Sequence, residues 1–181
     1  MSVPRAVLLS LLVAMFACAA GGLGGYTVAN RDTPDFGPLP CKGSAHLCIP
    51  ELEAASVIRT LRTQGHECHR TLDRWSCVLQ IGVTEYALSL QVIGGQVHGY
   101  SARVSTSVDG PPGTTSIAYL SWLAQLPYAY DPAFAQRIST WVGRQIEKGG
   151  TTHAAVGGYG YRVDADDEQV IDFEVRTVVP R

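Results

Sequence analysis

Residues 65–77 read GHECHRTLDRWSC and hold His66, Cys68, His69 and Cys77 within thirteen positions. These residue types can ligate zinc, pair a thiolate with a base, or close a disulfide. Cys41, His46 and Cys48 lie just upstream and enlarge the possible donor set. Thiol chemistry requires reduced cysteines, so the compartment decides between the three.

The N-terminus supplies the compartment. Arg5 is followed by AVLLSLLVAMFACAAGGLGGYTVAN, which runs from Ala6 to Asn30 without a charge. A basic flank, an apolar stretch and a small-residue region describe an export signal, with Ala17-Cys18-Ala19 as a cleavage site. The run is also long enough for one membrane span of about 20 residues. Lipidation at Cys18 is a third fate, although bulky Phe16 stands where a lipobox carries a small residue. All three place the remainder outside the cytoplasm, with Arg5 on the inner side. The expected division is residues 1–30 as signal or membrane anchor, 31–49 as a Pro-rich stalk, and 50–181 as a single domain.

Five cysteines occur, and with Cys18 assigned to the export segment four remain: Cys41, Cys48, Cys68 and Cys77. An even set in an oxidising compartment reads as two disulfides, and spacing favours Cys41–Cys48 with Cys68–Cys77. Geometry agrees. If Leu72-Asp73 forms a two-residue turn, Thr71 opposes Arg74, and Cys68 then opposes Cys77. Such a non-hydrogen-bonded pair brings Cα atoms to about 4.5 Å, a separation that a disulfide accepts. A zinc site has less support, because the cysteines lack a C-x₂₋₄-C knuckle. No cofactor motif is present: the acids of VDADDEQV do not follow the EF-hand order, and VGGYGY does not match a dinucleotide-binding loop.

The flanking elements follow from periodicity. Pro50 to Gly65 predicts a helix, with Leu52, Ala55, Ile58 and Leu61 as its buried stripe. Gly82-Val83 predicts a tight turn that sets Ile81 opposite Thr84, Leu79 opposite Tyr86 and Cys77 opposite Leu88. The next turn, Gly94-Gly95, leaves a choice. A strict pairing turns Gly99, Ser101 and Arg103 toward the apolar face, whereas a bulge turns Tyr100, Ala102 and Val104 there. Helices are expected over 115–126 and after the Asp131-Pro132 cap, with Phe134, Ile138, Trp141 and Val142 facing inward. Strands containing Tyr159, Tyr161, Val163 and Ile171, Phe173, Val175 close the chain. The expected fold class is α+β: a mainly antiparallel sheet of about five to six strands with about three helices packed on one face.

A net charge of −2 provides no basic field for nucleic acid. No G-x-S-x-G, H-E-x-x-H, Walker or S-x-x-K motif occurs. The PYAYDP connection offers Tyr128 and Tyr130 as a contact surface, loop tyrosines being common in recognition. The leading expectation is a non-catalytic binding or interaction domain, held at the membrane by its N-terminal segment and meeting a protein or small-molecule ligand at the cell envelope. Two alternatives stand beside it. One is a small extracytoplasmic hydrolase that assembles His66, His69 or His98 with a carboxylate; the other is a metal-binding envelope protein.

Overall fold

The structure, a computed structural model, describes residues 37–110, 113–167 and 169–178. The signal or anchor expected over 1–30 lies outside them. Two short strands come first, β1 (Leu39–Pro40) and β2 (Leu47–Cys48), then helix α1 (Ala54–Thr63). Four strands follow: β3 (Glu67–Thr71), β4 (Arg74–Ile81), β5 (Thr84–Ile93) and β6 (Gln96–Thr106). Next are α2 (Thr114–Gln125), a 3₁₀ turn (Leu126–Tyr128) and α3 (Pro132–Lys148), and the chain ends with β7 (Gly150–Val156), β8 (Tyr159–Asp167) and β9 (Val170–Thr177).

The last seven strands form one antiparallel sheet in the order β3-β4-β5-β6-β9-β8-β7. The α+β class holds, and the sheet is larger than the five to six strands expected. The additional strand is β7, whose GTTHAAV carries no alternation of apolar and polar residues. It forms because Gly157 and Gly158, at φ 54° and 82°, make a two-residue turn that returns the chain along β8. Both residues of that turn need the left-handed region, which glycine enters without penalty.

One face of the sheet is apolar. Cys68, Cys77, Leu88, Ala102, Phe173 and Val163 are cross-strand partners in a single row, and all are buried. They join buried residues of all three helices in one cluster. The adjoining row on the opposite face is polar: Ser76, Ser89, Ser101, Glu174 and Arg162. This in/out division is what the pleat imposes on an antiparallel sheet covered on one side.

Tyrosines of the sheet hold the end of α2. The last carbonyls of a helix have no partner within it. Here Tyr100 Oη donates to Leu123 O at 2.6 Å and Tyr161 Oη donates to Ala124 O at 3.3 Å. Burial raises both phenols above the ordinary tyrosine range, so both remain donors.

Several local expectations shift. Helix α1 begins at Ala54, because Glu51 takes φ 57° and cannot continue a helix from Pro50. The buried stripe accordingly rotates to Ala54, Val57, Ile58 and Leu61. The described part of the segment read as a stalk, residues 37–49, packs against the sheet. Ile49 N donates to Val97 O at 2.8 Å, Thr177 Oγ1 donates to Leu47 O at 3.3 Å, and Ile49 is fully buried. The prolines break periodicity there, but the disulfide-closed turn still presents Cys41, Cys48 and Ile49 to the interior. Among the described residues no helix is long and apolar enough to cross a membrane.

Candidate functional site

A cleft of about 330 Å³ opens at one end of the sheet. Its floor is the cross-strand row Tyr86, Val104 and Ile171. Two residues further along the same face come Thr84 and Thr106, which are paired with each other and line the wall. Helix α2 starts beyond this point and contributes Thr115 and Ser116 from its first turn. The sheet therefore outruns its helical cover here, and the gap is the cleft. Ile81 and Val108 stand exposed at the rim.

The described start of the segment after β6 is held by hydrogen bonds. Gln169 Nε2 donates to Asp109 Oδ1 at 2.5 Å, Thr106 N donates to Gln169 O at 2.9 Å, and Ser107 N donates to Val83 O at 3.3 Å. These bonds tie residues 106–109 to the β8–β9 and β4–β5 turns at the cleft mouth. Inside it, the buried residues Tyr86 and Ser116 add polar side chains beside the apolar floor. An apolar floor with a few polar groups along its wall is the usual make-up of a ligand site.

The four thiols are consumed. Cys41–Cys48 and Cys68–Cys77 are disulfides with Cα separations of 5.0 and 4.0 Å, in the pairing that spacing favoured. The register runs through Cys68 opposite Cys77 to Thr71 opposite Arg74. Among the described residues no group of three or more histidines, cysteines or acids is arranged to hold a metal ion.

The histidines do not converge. His66 is buried between α1 and α2, with Nδ1 at 3.1 Å from Leu61 O and Nε2 at 3.3 Å from Tyr119 Oη. The carbonyl can only accept, so Nδ1 carries the proton and Nε2 receives the tyrosine hydroxyl. His98 Nδ1 bonds the Leu47 carbonyl near Thr177, and its ring meets His46 edge-on at 5.7 Å. His69 is exposed on the edge strand. Each of the three histidines named for a hydrolase thus sits in a different part of the molecule.

Burial lowers the His66 pKa below its ordinary value, against the opposing pull of the Leu61 carbonyl. The unfolded chain then binds a proton near pH 6.5 while the native ring still refuses it. Stability is full above about pH 6.5 and falls as the solution is acidified toward the native value. The denaturation midpoint of the native chain should drop across this window, and that of His66→Phe should drop less. Parallel slopes for the two proteins would remove His66 as the cause.

The tyrosine pair separates. Tyr128 is buried, not a contact surface: its hydroxyl donates to Val156 O at 2.7 Å and its ring lies against Phe134 and Tyr159. Tyr130 is exposed and hydrogen-bonds the Glu51 carboxylate, which raises its pKa. A second concavity, of about 350 Å³ and more open, lies on the polar face beside β7. Its Arg162 and Arg176 are engaged with Asp164 and Glu174.

The cleft residues gave no separate signal in the sequence. Tyr86, Val104 and Ile171 look like any inward-facing strand positions, and Ser116 like any first-turn serine. They converge from four segments only after the sheet closes. No protein family, curated protein or solved structure matches the chain.

Proposed function

We propose that this chain is an exported, non-catalytic binding domain of the cell envelope, tethered through residues 1–30, that takes a small and largely apolar molecule into the cleft at the end of the sheet. The observation that carries the reading is the cleft itself, in which Tyr86, Thr106 and Ser116 set polar groups beside the apolar Val104 and Ile171. Ligand sites characteristically combine an apolar lining with a few placed polar groups, and about 330 Å³ falls at the small end of their range. The disulfides agree with an extracytoplasmic setting.

Titration with anilinonaphthalene sulfonate, a fluorescent apolar anion, tests the cleft. The native chain should bind it saturably. Thr115→Trp, which fills the mouth from an exposed position and leaves the core intact, should weaken binding by about tenfold or more with unchanged thermal stability. Equal binding by both proteins would overturn the reading. Ester or peptide turnover that Thr115→Trp abolishes would replace it with the hydrolase alternative.

A further inference from the structure

The cleft carries charge of one sign. Among the described residues that line it, Asp109 is the one charged side chain, and no lysine, arginine or histidine stands beside it. The nearest base along the chain, Arg103, lies on the opposite face of the sheet. There it forks onto the Asp172 carboxylate at 2.8 and 2.9 Å.

Asp109 is held in place by Gln169. The Gln169 side chain donates from Nε2 to Asp109 Oδ1 at 2.5 Å, and its backbone N donates to Asp167 Oδ1 at 2.8 Å. One glutamine therefore brackets two carboxylates, Asp109 from the segment after β6 and Asp167 from the end of β8. The acids of VDADDEQV do not follow the order of a calcium loop, but Asp167 adds a second negative charge beside the mouth. A carboxylate has about four acceptor positions over its two oxygens, and the Gln169 amide takes one of them. Below Asp109 come the hydroxyls of Thr106 and Ser116, which can also accept, and then Val104 and Ile171. Exposure falls in the same order: Asp109 is exposed, Thr106 half-buried, Val104 and Ile171 buried.

We infer that the molecule taken into the cleft is a small organic cation, an ammonium head at Asp109 on an apolar body that lies against Val104 and Ile171. The inference rests on the binding role proposed above and names the class of ligand within it. An ammonium group carries donors and no acceptor, which a carboxylate flanked by hydroxyls can satisfy. An anion of the same shape would meet Asp109 with no lining base to offset the repulsion. A neutral molecule would keep the apolar contacts and lose the ion pair.

Displacement of anilinonaphthalene sulfonate by phenethylamine and by phenylpropionate tests the sign. The two carry the same ring on the same two-carbon chain and differ in charge. At low ionic strength the native chain should prefer the amine by about fivefold or more. Asp109→Asn keeps an Oδ1 acceptor for Gln169, and the side chain it replaces is exposed, so thermal unfolding should be unchanged. In that variant the preference should shrink toward equality, and the anionic dye itself should bind more tightly. Salt at about 1 M, where screening acts within about 3 Å, should shrink the preference of the native chain as well. Equal displacement by the two compounds, or a preference that Asp109→Asn leaves unchanged, would overturn the cation and leave the cleft standing. Dye binding that Thr115→Trp does not weaken would overturn the cleft and the cation with it.

Discussion

Replacing Phe173 with alanine lowers the unfolding free energy by about 3 to 5 kcal/mol. Phe173 occupies the middle of the buried row, between Ala102 on β6 and Val163 on β8, and is 1% exposed. Its ring lies 6.4 Å from both Tyr100 and Tyr161, measured between centroids. Truncation therefore costs the transfer of an aromatic ring and leaves a cavity that the neighbouring small residue Ala102 cannot fill. It also loosens two tyrosines whose hydroxyls hold the Leu123 and Ala124 carbonyls. The sheet and α2 should weaken together, as a lower denaturation midpoint with an unchanged slope. A loss below about 1 kcal/mol would mean that the helical layer is not seated on this row.

Removing the Cys68–Cys77 bridge costs about 2.5 kcal/mol. Loop-closure entropy gives that figure for a bridge spanning 9 positions. Cys68→Ala with Cys77→Ala is the suitable pair, since serine would place a hydroxyl at fully buried position 77. Local factors concentrate the loss in this hairpin. Strand β3 has a neighbour on one side only, and the turn beyond it places Leu72 at φ 55°, where a Cβ is unfavourable. The bridge holds that turn closed. Arg62 adds a weaker tie from α1, donating to Cys68 O at 3.0 Å and stacking over Trp75 at 5.5 Å. Hydrogen exchange should accelerate most along β3 and much less in the central strands β5 and β6. A uniform acceleration across the sheet would show that the bridge acts on the whole unfolded chain rather than on this edge.

Some elements were legible because they depend on neighbours in sequence. The Gly82-Val83 turn fixes Leu79 opposite Tyr86 and Cys77 opposite Leu88, as the alternation indicates. Asp131 caps α3, accepting from Phe134 N at 2.9 Å, as an Asp-Pro start predicts. The bulge was different. After the Gly94-Gly95 turn the register shifts between Gln91 and Val92, and Tyr100, Ala102 and Val104 turn inward. Strand β6 is paired on its far side with β9, so its apolar residues must share a face with Ile171, Phe173 and Val175. That constraint comes from residues about seventy positions away, and the local turn does not contain it. Strand β7 was invisible for a related reason: with its outer residues at an edge, it needs no apolar alternation to stay in place.

By itself the sequence determined an uncharged N-terminal run expected to direct export, an even set of cysteines whose spacing favoured one disulfide pairing, the α+β class and the inward face of most strands. These follow from composition, from spacing and from the period of two, which act over a few residues. Tertiary structure alone decided that residues 37–49 are part of the folded body, that Tyr128 is buried while Tyr130 is exposed, and that Tyr86 and Ser116 share a cleft. Each depends on segments far apart in the chain meeting at one place. A side chain's exposure is set by what packs against it, which its own neighbours in sequence do not specify.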